Sequence, residues 1–216
     1  MKTLAFALTV LSACLACGEE PVRDIAIPAG SSPAEKPPCC REVTATAPLT
    51  DKSLYQLESK WTSDVGREVK LGVLRGRPQI AAMFFTSCEY ACPIIVENMK
   101  AIEQALPETL RDKVDFLLVS FDVERDTPEV LKAFRAKKQL APARWTLLRG
   151  KEDDVRELAA LLGINYQRDA KGQFSHSNVI TVLNAEGEVA FHQEGLNKDA
   201  RETVAAIEKM LAAKTP

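Results

Sequence analysis

Gln79-Ile-Ala-Ala-Met-Phe-Phe-Thr-Ser-Cys-Glu-Tyr-Ala-Cys-Pro93 changes rhythm halfway along. From Gln79 to Thr86 it is an almost unbroken apolar run, the pattern of a strand covered on both faces. From Pro93 to Leu106 the apolar residues recur at helical spacing, with Ile95, Met99, Ile102 and Leu106 on one stripe and Pro107 closing the segment. A buried strand turning directly into an amphipathic helix is the opening of an α/β unit. Cys88 falls in the turn, and Cys92 at the first helical turn, where Pro93 is tolerated because its missing N–H would have been unpaired anyway.

The alternation continues outward. Val114–Phe121 is a second buried strand, and Asp126-Thr127-Pro128-Glu129 is a helix start with proline just inside it. Trp145–Leu148 is a third, short strand, followed by a helix from Asp153 to Leu162 that ends at Gly163. Asn178–Asn184 and Glu188–Gln193 flank Ala185-Glu186-Gly187 as a hairpin. A last helix is expected from about Lys198 to Ala213, and upstream Glu68–Leu71 and Gly72–Pro78 form a short strand and turn. Helical crossovers between strands require parallel pairing, and the terminal hairpin adds antiparallel strands, so the expected fold is an α/β sandwich with a mixed central sheet flanked by helices. Sites in such sheets gather at the carboxyl ends of strands. Thr86–Cys92, Asp122 and the loop leading to Asn178 fall there.

Residues four apart on a helix lie on one face, so the sulfurs of Cys88 and Cys92 are placed to approach one ion or each other. The positive end of the helix favours the thiolate, and one or both cysteines are expected to titrate below the free value of about 8.5. Metal binding and disulfide exchange both use the thiolate, and the spacing alone leaves both open.

The chain has 216 residues, 28 Lys and Arg against 30 Asp and Glu, and a net charge of -2 with both signs interspersed, which offers no basic face for nucleic acid. Met1-Lys2 and the apolar run Thr3–Leu11 have the form of a secretory signal, too short to cross a bilayer as a helix. Leu11-Ser-Ala-Cys14 resembles a bacterial lipobox, which makes Cys14 the expected lipid anchor and residues 1–13 a lipoprotein signal peptide. Residues 14–50, rich in proline and alanine, are expected to be a flexible tether carrying the adjacent pair Cys39-Cys40. The expected location is the cell membrane, lipid-anchored and facing the periplasm or cell exterior, where thiols stay reduced only if something keeps them so. The folded domain is expected over residues 51–216.

Phe84-Phe-Thr-Ser-Cys88-x-x-x-Cys92-Pro, then Ser120-Phe-Asp122-Val-Glu-Arg-Asp126-Thr-Pro128-Glu, and later Phe174-Ser-His176-Ser together resemble the Sco/SenC family of copper-binding, thioredoxin-like proteins. The resemblance spans roughly Ser53 to Leu211 and includes Leu54-Tyr55 and the turn Leu74-Arg-Gly-Arg-Pro78. It implies a thioredoxin-like fold and one copper ion, Cu(I) or Cu(II), held by Cys88, Cys92 and His176. Soft thiolates select Cu(I), and an added imidazole also suits Cu(II). The implied function is a membrane-tethered chaperone that delivers copper to, or matures, the copper centre of a respiratory cytochrome c oxidase. Its implied partners are the copper-centre subunit of a haem-copper oxidase and an extracytoplasmic thiol reductant. The family often has Asp before the histidine; here Ser175 stands there, and Asp122 is the candidate for a nearby carboxylate in the second shell.

Several alternatives compete. A thiol-disulfide oxidoreductase would use Cys88 to attack and Cys92 to resolve, as a catalytic redox pair. A peroxidase would need an arginine near the cysteine, and the nearest one downstream is Arg111. Zinc would find two cysteines and one histidine, one ligand short of a closed structural site. His192 is expected to be a solvated strand residue, and Met83 and Met99 to pack in the core.

Overall fold

The computed structural model describes residues 48–170 and 174–213. The leader, Cys14, and the tether cysteines Cys39 and Cys40 lie outside the described residues. At the centre of the domain is strand β3 (Gln79–Phe84), every residue of which is buried, as the apolar run requires. It pairs in parallel with β4 (Asp115–Ser120), which pairs in parallel with β5 (Trp145–Arg149). On its other side β3 pairs antiparallel with β8 (Val179–Leu183), and β8 with β9 (Val189–Glu194). Strand β2 (Glu68–Val69), the short strand expected over Glu68–Leu71, and β1 (Trp61–Ser63), which was not anticipated from the sequence, complete a seven-stranded mixed sheet in the order β2-β1-β5-β4-β3-β8-β9.

Helix α1 (Ala91–Ala105) packs against β3, β8 and the C-terminal helix α5 (Ala200–Ala212). Its stripe Ile95, Met99 and Ile102, together with Leu106 just beyond it, is buried. A single turn, α2 (Glu108–Arg111), follows Pro107. Helix α3 (Pro128–Lys138) begins as its sequence demands: Thr127 is the N-cap, its hydroxyl accepting the Val130 amide at 3.4 Å, and Pro128 supplies the pre-set first φ. Helix α4 (Glu152–Leu161) places three acids in its first turn, where the helix dipole favours them. Met83 and Met99 are core residues. Trp61 and Trp145 are buried, and Trp145 stacks on Phe116 with centroids 4.5 Å apart. Burying side chains of this size contributes roughly 1.5–3 kcal/mol each.

The chain between α4 and β8 was expected to be a loop. Instead it forms a separate two-stranded antiparallel sheet, β6 (Tyr166–Arg168) and β7 (Phe174–His176), with Tyr166 opposite His176 and Arg168 opposite Phe174. This hairpin lies against the carboxyl ends of β3 and β4 and brings its histidine there.

Candidate metal centre

The β3–α1 turn is pinned from below. Asp126, fully buried, accepts the Thr86 amide at 3.0 Å and the hydroxyls of Thr86 and Ser120. Three donors thereby offset the cost of burying its charge. In the sequence Asp126 has the local context of a helix start. Its real partner lies 40 residues upstream, and no local pattern signals that.

Above this anchor the chain enters α1 without a side-chain cap from Tyr90. The Cys88 sulfur takes that place, accepting the Cys92 amide at 3.4 Å. Cys88 is half-buried and Cys92 fully buried, and both are free thiols. The Cys92 sulfur accepts the Phe85 amide at 3.5 Å and lies 3.7 Å from Nε2 of His176. The two sulfurs and a ring nitrogen all fall within 4.8 Å of one another. Metal–sulfur and metal–nitrogen bonds of roughly 2.0–2.3 Å place two donors of one ion up to about 4.5 Å apart, so these three groups fit a single ion with little adjustment.

The ring is oriented by backbone. Nδ1 of His176 lies 3.0 Å from the Ser177 carbonyl, the position of an Nδ1–H donor, which leaves the Nε2 lone pair toward the sulfurs. Asp122 does not perform this task. Its buried carboxylate pairs instead with Arg125, accepting both the Arg125 amide at 3.2 Å and the guanidinium. A carboxylate sunk at a strand end is satisfied most cheaply by the turn that follows it.

The expectation of a low thiol pKa fails for Cys92. Burial pushes its thiol well up, against the hydrogen bond from Phe85, and the neighbouring Cys88 and Asp126 push the same way. Desolvation of the inner sulfur outweighs the helix dipole. The His176 ring is held below the usual imidazole range by burial, opposed by its hydrogen bond to Ser177, so it is neutral near pH 7 and available as a ligand.

The remaining candidates lie elsewhere. His192 is on β9, opposite Thr181, and its Nε2 is buried without a hydrogen-bond partner among the described residues, so the ring is less solvated than strand alternation suggested. Arg111 sits beyond the far end of α1, donating to the carbonyls of Gln104 and Leu106, and so is not the arginine a peroxidase would need beside its cysteine.

A sequence model of the SCO1/SenC family matches residues 49–212. The chain belongs to the SCO1/SenC family. It is 27% identical over 154 residues to the SCO1 protein homolog of Bacillus subtilis, a match covering 68% of this chain and 78% of that one. With the SCO2-like protein of Rickettsia typhi the identity is 28% over 125 residues, covering 55% of this chain and 60% of the relative. Similar solved structures include Arabidopsis thaliana ScoI with copper bound, at TM-score 0.64 and 21% identity over 72% of this chain and 96% of that one. Another is BsSco, described as a member of the Sco family of cytochrome c oxidase assembly proteins with a disulfide switch. It aligns at TM-score 0.62 and 22% identity over 77% of this chain and 99% of its own. At these identities the structures establish a shared thioredoxin-like Sco fold.

Proposed function

We propose that this SCO1/SenC protein binds one copper ion through Cys88, Cys92 and His176 and serves as a metallochaperone in maturing the copper centre of a respiratory cytochrome c oxidase. The observation that carries the proposal is the convergence of one imidazole and two thiol sulfurs, from segments 84 residues apart, within 4.8 Å. Two soft thiolates suit Cu(I), and the neutral imidazole allows Cu(II) as well. Three protein donors leave a position open, which suits an ion that is to be handed on. The N-terminal sequence supports a lipid anchor at Cys14 and placement outside the cytoplasm, facing the periplasm or cell exterior. Copper entry needs both thiols reduced, so an extracytoplasmic thiol reductant is a further expected partner, beside the copper-centre subunit of the oxidase.

The competing function is thiol-disulfide exchange by the same pair. Copper affinity and disulfide reductase rate, measured in parallel on His176→Ala, separate the two. The metallochaperone requires a clear fall in copper affinity. Unchanged affinity together with lost reductase activity would overturn it.

A further inference from the structure

His176 reaches the thiols on a hairpin that shares no strand ladder with the seven-stranded sheet. The two-stranded sheet β6–β7 is hydrogen-bonded within itself, closed at its base by the Ser177 amide donating to the Asn165 carbonyl at 2.8 Å. An isolated two-stranded hairpin is at best marginally stable in water. A cleft of about 390 Å³ borders Tyr166, Gln167, Arg168 and Phe174, so no packed layer backs the hairpin on that side. What seats it on the domain must therefore be side chains.

Phe174 is two residues before His176 on β7 and so shares its face. Its ring packs 5.2 Å from both Phe85 and Phe121, in tilted geometry. These are the two rings that also flank His176, at 6.2 and 5.0 Å. Two guanidinium groups reach the same ring, with the carbons of Arg168 and Arg125 at 5.7 and 5.9 Å from its centroid. Each is held by an acid of the turn after β4: Arg168 by Glu124 at 2.6 Å, Arg125 by the buried Asp122. The turn after β4 thus reaches the hairpin through the Phe174 ring and through the Arg168–Glu124 ion pair, while Tyr166 of β6 stacks on Phe121 with centroids 5.3 Å apart; of these contacts only those of Phe174 lie on the strand and face that carry His176.

We propose that Phe174, gripped between Phe85, Phe121 and the guanidinium groups of Arg125 and Arg168, is the positioning residue that holds the His176 imidazole over the Cys88–Cys92 pair. Asp122 and Glu124 act one step further out by fixing the two arginines. Asp122 thereby influences the ring without touching it. The part of this proposal that concerns copper rests on the function proposed above; the part that concerns the seating of the hairpin does not.

A double-mutant cycle on the full chain tests it. Cu(II) affinity is measured for wild type, Phe174→Ala, His176→Ala and the double variant, and amide hydrogen exchange is followed without metal. Phe174→Ala is expected to weaken Cu(II) binding by about 10-fold, short of the loss caused by His176→Ala, since the aromatic and cation contacts at stake are each of order 1 kcal/mol. In the His176→Ala background the same change is expected to shift affinity by less than about 2-fold, because a residue that acts only through the ring has nothing left to position. Exchange at the Ser177 amide should rise at least about 10-fold in Phe174→Ala while the amides of β8 keep their protection, and Phe174→Tyr should restore both values. Equal losses in the two backgrounds would reduce Phe174 to a packing residue and overturn the proposal, as would unchanged Ser177 exchange. Should wild type bind no copper, the proposed function falls, and the exchange and Phe174→Tyr results still decide whether Phe174 seats the hairpin. If Phe174→Ala does not fold, Arg168→Met, a surface change, is expected to show the same background dependence at about 2- to 3-fold.

Discussion

Replacing Asp126 by alanine removes the acceptor of three hydrogen bonds beneath the thiol-bearing turn: the Thr86 amide at 3.0 Å and the Thr86 and Ser120 hydroxyls. Hydroxyls can rotate toward weaker partners, but the direction of the Thr86 amide is dictated by the chain. A buried donor left without a partner costs about 1–3 kcal/mol, and adding smaller penalties for the hydroxyls gives an expected loss of about 2–4 kcal/mol. In a domain of this size that lowers the melting temperature by roughly 5–15 °C. Asp126→Asn keeps the shape and one carbonyl oxygen. Turned so that this oxygen faces the Thr86 amide and Ser120, it leaves only the Thr86 hydroxyl to reverse its role, for a cost below about 1.5 kcal/mol. Urea unfolding of the reduced protein, followed by circular dichroism, measures both variants. An alanine variant within about 0.5 kcal/mol of wild type, or an asparagine variant as damaged as alanine, would refute the hydrogen-bond account.

Other expectations follow from the same geometry. The Cys92 thiol is raised by burial, so the folded state keeps its proton where the unfolded chain loses it. The reduced protein should therefore lose stability as pH rises above the ordinary cysteine value of about 8.5, by up to about 1.4 kcal/mol per pH unit, and Cys92→Ala should remove that component; urea titrations at pH 8, 9 and 10 on both proteins would show it. By the same protonation, copper loading should release a proton from Cys92 near neutral pH, readable as acidification of a weakly buffered sample. Gly187 has φ +81° in the β8–β9 turn, and a Cβ there would lie 2.7 Å from the buried ring of Tyr55; Gly187→Ala should cost more than about 2 kcal/mol by thermal denaturation.

The elements that were legible in the sequence are those whose signal is local. β3, α1, the Thr-Pro start of α3 and the β8–β9 hairpin each carry their own periodicity or turn chemistry, and the structure places them within a residue or two of expectation. β1 has only three residues, and it exists because β5 offers an edge at Thr62 and Ser63. β6 and β7 are equally short, and their strand character comes from pairing with each other and from the rings of Phe85 and Phe121 below. The proximity of His176 to the thiols was reachable only through family resemblance, since nothing near residue 176 points to residues 84 and 88 positions earlier. Asp126 and Asp122 mislead in opposite directions. Asp126 looked like turn chemistry and is decided by a donor 40 residues away, whereas Asp122, the candidate ring partner, is satisfied locally by Arg125 of the turn that follows it.

The two sulfurs are not equivalent in depth. Cys92 is sealed at the floor, in contact with the Phe85 amide and the histidine, whereas Cys88 stands at the rim. Were an ion held by both sulfurs as proposed, Cys88 would be the ligand more open to an incoming partner and Cys92 the one shielded from it. If the protein hands on copper as proposed, ligand exchange would run from Cys88 inward, and an acceptor unable to reach the outer sulfur would be a poor recipient.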